Sequence, residues 1–288
     1  MIENLISGIS LGSVYAIIAL GYTMVYGIAK MLNFAHGDVI MVGGYMSYCC
    51  TVYMGLNPWL ALLVAMGVCT ILGITIEKFA YKPLRSAPSL AVLITAIGVS
   101  YLLQNSAQLI WSPNTKNFTN IMPGSVEIFG VTVTRIALLT IGTCIVIMIA
   151  LTLFINKSKL GTAMRAVSED KGAAQLMGIN VNVTISTAFA IGSALAAVAG
   201  VLMLSAQNAL LPTTGSLPGI KAFTAAVLGG IGSIPGALLG GILLGILESL
   251  SKALGLDQIS DAIVFGVLIL MLMVKPTGLL GKPIREKV

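Results

Sequence analysis

Eight stretches of this chain are apolar for about as long as a lipid bilayer is thick, and that property limits how everything else can fold. They cover residues 5–29, 39–54, 58–76, 90–111, 136–155, 183–206, 236–247 with its flanks, and 259–274. A helix rises about 1.5 Å per residue, so about 20 apolar residues bridge a hydrocarbon core of about 30 Å. A ninth stretch, 219–231, is shorter and carries one charge, Lys221. Inside lipid every backbone N–H and C=O needs an internal partner, which selects helices. Only 9% of the residues are charged, against about 25% in a soluble domain. The expected fold is an all-α polytopic membrane protein of about 8–9 transmembrane helices, some short or broken, in one domain covering 1–288.

Charge placement orients the spans. Lys78, Lys82 and Arg85 fall in one loop, Lys157, Lys159, Arg165 and Lys171 in another, and Lys275, Lys282, Arg285 and Lys287 near the end of the chain. Basic loops stay cytoplasmic. The loop at 112–134 holds only Lys116 and Glu127 and should face outward, as should the turn marked by Asp257 and Asp261. Parity then puts the N-terminus outside and the C-terminal region inside, provided that 219–231 crosses as a short helix and does not re-enter. The first apolar stretch is long enough to span and stay, so no cleaved signal is expected.

Composition also excludes several functions. The net charge of +6 is no nucleic-acid signature, because the basic residues gather at span ends. Cys49, Cys50, Cys69 and Cys144 sit in apolar stretches and read as small buried hydrophobes. One histidine and no Cys/His cluster argue against a metal centre. The chain has no Gly-x-x-x-x-Gly-Lys-Ser/Thr loop and no nucleophile–base pair, so it is not expected to be an enzyme or to bind a cofactor. Carboxylates within spans or at their edges are few: Asp38, Glu77 and Glu248.

An internal repeat is visible. Gly12-Ser13-Val14-Tyr15-Ala16-Ile17-Ile18-Ala19 matches Gly192-Ser193-Ala194-Leu195-Ala196-Ala197-Val198-Ala199 as Gly-Ser-x-x-Ala-x-x-Ala. The first copy runs inward and the second outward, as an inverted repeat requires, with halves at about 5–111 and 183–275. Glycines are spaced for close helix contact, as in Gly236-x-x-x-Gly240 and Gly241-x-x-x-Gly245.

Three polar interruptions stand out. Asn33-Phe34-Ala35-His36-Gly37-Asp38 separates two apolar stretches, and Asn33 or Asp38 has the chemistry to cap the next helix. This break reads either as an interfacial turn or as a half-helix start lining a solute path. Gly229-Gly230-Ile231-Gly232-Ser233-Ile234-Pro235-Gly236 must end a helix. The candidate path residues are Asn33, His36, Asp38, Lys221, Gly229, Gly230, Gly232 and Pro235. Lys221 would either snorkel to the outer interface or attract a carboxylate. The two breaks are expected to approach each other near the middle of the protein.

The third interruption, 165–180 within a loop at 157–182, is too long for a turn. Ala166, Ala173, Leu176, Met177 and Ile179 suit a short amphipathic helix outside the bilayer, which would either cap the bundle or dock on a soluble partner.

At these residues the chain closely resembles the H-type permease subunits of high-affinity branched-chain amino-acid ABC importers. The resemblance rests on Gly21-Tyr22-Thr23-Met24-Val25-Tyr26-Gly27, on Leu32-Asn33-Phe34-Ala35-His36-Gly37, on Glu169-Asp170 through Gly178-Ile179-Asn180, on Lys221-Ala222-Phe223-Thr224-Ala225-Ala226-Val227-Leu228 continuing through Gly236, and on Pro276-Thr277-Gly278-Leu279-Leu280-Gly281. It implies a bacterial inner-membrane subunit that pairs with a related permease, two cytoplasmic ATPase subunits that bind ATP and Mg, and a periplasmic binding protein. It also implies that 157–182 meets an ATPase through Glu169, Asp170, Ala173, Ala174, Leu176, Met177 and Gly178. Ala173-Ala174-x-x-x-Gly178 matches the Ala-Ala-x-x-x-Gly part of the permease docking motif, with Gly172 in place of the expected Glu. Against this stands a stand-alone secondary transporter or channel for a small polar solute.

Overall fold

The computed structural model describes residues 2–128 and 130–281. Lys282, Arg285 and Lys287, counted above as basic, lie outside the described residues. The helices are α1 (Ile2–Ala29), α2 (His36–Tyr48), α3 (Pro58–Ile76), α4 (Ser89–Trp111), α5 (Arg135–Lys157), α6 (Lys159–Glu169), α7 (Lys171–Leu176), α8 (Val181–Gln207), α9 (Ser216–Gly229), α10 (Ile234–Ala253) and α11 (Ser260–Val274). A π-helical turn, Cys49–Tyr53, prolongs α2, and another, Glu77–Tyr81, prolongs α3. Two small antiparallel pairs join Lys116–Asn117 to Ala209–Leu210 and Ser125–Ile128 to Val131–Thr134.

Among the described residues seven helices are long and apolar enough to cross a membrane. The remaining crossings, α2 with 13 residues and α9 with 14, are half-helices. The polytopic all-α expectation is met. Helix α9 begins against the start of α2 and ends beside residues 278–281.

The halves pack alike. Helix α1 lies against α10 as α8 lies against α3, and α1 and α8 also touch each other. Each long helix ends in a left-handed residue, Lys30 at φ 58° after α1 and Asn208 at φ 55° after α8. That conformation stops a helix sharply, and asparagine adopts it more readily than most residues. An irregular segment then follows, running part-way through the bundle to a half-helix.

Local sequence sets the helix starts. Asn57 accepts from the Trp59 N–H at the start of α3, with Pro58 at the first helical position. Ser158, Asn180 and Ser233 cap α6, α8 and α10 in the same way. Neither Asn33 nor Asp38 caps α2, contrary to the sequence expectation. The backbone closes that start itself, His36 N–H donating to Asn33 C=O, which frees both side chains for tertiary contacts.

All the basic loops gather at one end of the bundle. Lys171 Nζ donates to the Ala29 carbonyl at 2.9 Å, and Arg85 bonds to Asn182. Residues 278–281 lie there as well, Leu279 and Leu280 donating to the Leu228 and Gly229 carbonyls that α9 leaves unpaired at its C-terminus. We call this the basic end and the other the far end.

The glycines make this packing possible. A Cβ on Gly241 would sit 2.5 Å from the Ala16 nitrogen of α1, and one on Gly240 would sit 2.1 Å from the Ala225 carbonyl of α9. Real Cβ atoms do not approach so closely, so both contacts need glycine. Gly240→Leu should therefore separate α9 from α10, and Gly241→Leu should separate α1 from α10, each lowering folded yield and destabilising by about 1–3 kcal/mol or more. Gly67 faces open space, so Gly67→Ala should be neutral or slightly stabilising. Thermal unfolding of the purified protein distinguishes these outcomes.

Candidate functional site

Three polar constellations interrupt the apolar bundle. The first forms where the two half-helices meet. A Cβ on Gly215 would fall 1.9 Å from the Gly37 carbonyl, and one on Gly219 would fall 2.8 Å from the Gly37 Cα, so the start of α9 lies directly on the start of α2. Asp38 is buried there, and its Oδ1 accepts from Gln104 Nε2 of α4 at 2.9 Å. The same nitrogen lies 3.1 Å from Ser216 Oγ of α9 and 3.3 Å from Ser100 Oγ. Gln104 thus joins both half-helix starts to α4. One turn away, His36 packs edge-on to Tyr22, ring centroids 4.7 Å apart, in the space left by Gly21. Asn33 turns elsewhere and accepts from the Tyr81 hydroxyl at 2.8 Å.

The second constellation is a buried ion cluster nearer the far end. Lys221 Nζ lies 2.9 Å from Glu248 Oε1 and 2.6 Å from Asp261 Oδ1. Lys252 Nζ lies 2.9 Å from the same Glu248 oxygen, and the Tyr15 hydroxyl donates to Oε2 at 2.7 Å. The cluster ties α1, α9, α10 and α11 together with formal charges that cancel. Lys221 does not snorkel outward, because two carboxylates hold it inside the protein.

The third constellation is the loop at the basic end. The short amphipathic helix expected within 165–180 is α7, and a second helix precedes it, since α6 stops at Glu169 and α7 starts at Lys171. Asp170 makes the break. It ends α6, and its Oδ1 accepts from the Ala173 N–H to start α7. Helix α6 buries Gly161, Met164 and Val167, three residues apart on one face. Helix α7 ends at Gly178, whose φ of +81° lets the Ile179 N–H reach back to the Ala174 carbonyl. This explains locally why glycine follows the two alanines at that spacing. Ala174 is buried at 4% exposure, while Leu176 and Met177 are 89% and 82% exposed. The sequence left open whether these two side chains pack back on the bundle, and they do not. Burial, then the nearby Arg85 and Lys30 charges, hold the Lys171 pKa below the ordinary lysine value.

The candidate path residues therefore do not form one site. Gly229 packs on Gly236, Gly230 on Gly281, and Gly232 lies 3.5 Å from a Cβ built on Gly27 near the basic end. Pro235 sits in the first turn of α10. The expectation that 33–38 would meet 229–236 is corrected: the start of α2 meets 215–219, and the second break is sealed by 278–281. Gln104 and Ser216 were not singled out from the sequence. Both are ordinary small polar residues, and no spacing rule ties them to Asp38.

The family profile described as branched-chain amino acid transport system, permease component, matches residues 4–273. The chain belongs to this permease family. It is 45% identical over 300 residues to the high-affinity branched-chain amino acid transport system permease protein BraD of Pseudomonas aeruginosa, covering 100% of this chain and 98% of that protein. It is 44% identical to the corresponding permease protein LivH of Escherichia coli, covering 100% of this chain and 97% of that protein. A probable branched-chain amino acid transport permease protein LivH of Methanocaldococcus jannaschii is 33% identical over 92% of this chain and 88% of its own length. The resemblance read from the sequence is thus borne out, and the chain is a transport subunit and not an enzyme.

For this permease the ion cluster gives a clear expectation. Removing one partner of a fully buried pair costs about 3–5 kcal/mol, and the loss here is smaller, because Lys252 still meets Glu248 and Asp261 still meets Lys221. Lys221→Met and Glu248→Gln should each lower the unfolding temperature, and the double variant should lose less than the two losses combined. A Lys221→Met permease with an unchanged melting curve and altered uptake alone would instead make Lys221 a solute ligand.

Proposed function

We propose that this permease is a transmembrane subunit of an ATP-driven ABC importer and forms part of the path for branched-chain amino acids. Membership of the permease family across nearly the whole chain carries this reading. A second permease completes the transmembrane unit. In this reading two ATPase subunits bind ATP and Mg outside this chain, and a binding protein delivers the solute from the opposite side. Reconstitution with these partners tests it: ATP-dependent leucine uptake, suppressed by isoleucine and valine, is expected. Uptake driven by an ion gradient with no ATPase present would overturn it.

The basic end is then cytoplasmic, by the preference of Lys- and Arg-rich loops for that side. The N-terminus faces outward, in a bacterial inner membrane. Helices α6 and α7 form the coupling element that meets an ATPase. Two large apolar side chains, Leu176 and Met177, exposed on a polar loop support this, because isolated in water they gain nothing. Lys171 supports it too, by tying α7 to the last carbonyls of α1. A push on α7 reaches α1 through that bond and α8 through residues 177–180, with no chemistry in this chain.

Leu176→Asp and Met177→Asp should therefore leave the folded yield intact while lowering ATPase capture and substrate-linked ATP hydrolysis. Ala174→Arg should reduce the folded yield itself, since Ala174 is buried. Pull-down of the ATPase with uptake and hydrolysis in the reconstituted complex separates the two effects. Parent-like coupling in both Asp variants would remove the loop from this role.

A further inference from the structure

At the basic end, where α3 and its π-helical extension finish and α8 begins, the two spans leave a cleft of about 360 Å³ between them. Its lining changes along its length. Lys82 and Asn182 stand at the basic end of the cleft, and Ile74 and Ala190 line its deeper part. Ile74 lies eight residues before Lys82, and Ala190 eight residues after Asn182. The apolar part is therefore about 10–12 Å further along both spans. Such a gradient suits a molecule with a polar head and an apolar tail. Ile74 and Val183 are exposed beside the cleft, and both helices are apolar enough to cross a membrane, so lipid is the medium this cleft meets.

The charge at the polar end is positive. The acid of these two spans, Glu77, is already neutralised: its carboxylate is buried, accepts from Ser186 Oγ at 2.6 Å and pairs with Arg85. Arg85 also donates to Asn182 Oδ1, and the Asn182 Nδ2 hydrogens meet no acceptor among the described residues. Neither Lys82 nor Lys78, four residues earlier, forms an ion pair among the described residues. Lys82 and the Asn182 amide are thus donors open to an anion at the level where a span meets the headgroups.

We propose that this cleft binds one anionic phospholipid from the leaflet at the basic end, its phosphate held by Lys82 and Asn182 and an acyl chain laid along Val183 toward Ile74 and Ala190. A soluble acidic segment would leave the apolar part of the cleft unfilled, whereas an acyl chain fills it. The bound lipid clasps the start of α8 to the end of α3, the same two elements that Arg85 bridges.

Native mass spectrometry of the purified full chain, with phosphatidylglycerol and phosphatidylcholine of identical acyl chains, tests the site. Phosphatidylglycerol should bind at least tenfold more tightly, and Lys82→Gln should weaken its binding about fivefold. Val183→Trp fills the cleft from an exposed position and should weaken the binding of both lipids. Lys159→Gln removes the same charge from a residue that does not line the cleft, and should bind phosphatidylglycerol like the parent. All three side chains are exposed, so the melting curves in lipid-free detergent should match the parent. Equal binding of the two lipids, or equal losses in Lys82→Gln and Lys159→Gln, would overturn the proposal. Displacement of the lipid by inorganic phosphate, or binding that Val183→Trp leaves intact, would reduce the cleft to a surface anion site and overturn it as well. Binding is read on the permease itself, so the outcome does not depend on the transport reading.

Discussion

Hydrocarbon supplies no hydrogen-bond partner, and two stretches of this chain enter it without helical structure. Residues 30–35 and 208–215 each cover part of a crossing before α2 and α9 begin. Their backbone groups cannot face lipid. They are therefore enclosed by the long helices α1 and α8, and most of the architecture follows from that enclosure. Both long helices are buried along much of their length, and the lipid-facing roles fall to α3, α4, α5 and α11. The glycines of α10 and the half-helices serve the same end, since backbones must touch where side chains would leave gaps.

Bringing two half-helix starts together in this way concentrates polarity in the middle of an otherwise apolar protein. The N-termini of α2 and α9 carry partial positive charge. Asp38 places a carboxyl group at that point, and Gln104 links it to Ser216. The Lys221–Glu248–Asp261–Lys252 cluster is of another kind. Its formal charges cancel, and it ties α1, α9, α10 and α11 together. A transporter needs both features, one polar region able to exchange partners and a frame that does not yield.

The loop at 157–182 takes its shape from a few residues. Asp170 breaks one helix and begins the next, Gly178 ends the second, and Lys171 fastens it to α1. Family motifs at this loop read as docking chemistry. In the structure, part of that pattern is helix punctuation: the glycine supplies a left-handed turn, and the buried alanine lets α7 lie close to the bundle. Leu176 and Met177 take no part in that punctuation and stay exposed.

By itself the sequence determined the solvent of this protein, its helical content and the end at which its basic loops gather. These depend on run length and charge along the chain, and both properties are local. The boundaries of α3 and α5 were legible to within about two residues for that reason. The repeat of Gly12-Ser13 and Gly192-Ser193 was legible too, because it is a matter of spacing. The tertiary structure alone decided what each polar residue meets. Lys221 faces Glu248 and Asp261 from other helices, Asn33 meets Tyr81, and Asp38 meets Gln104. Those partners lie from 27 to 66 residues away in the chain. Helix packing sets such pairings, through the rotation and depth of each span, and apolar run length carries no record of either.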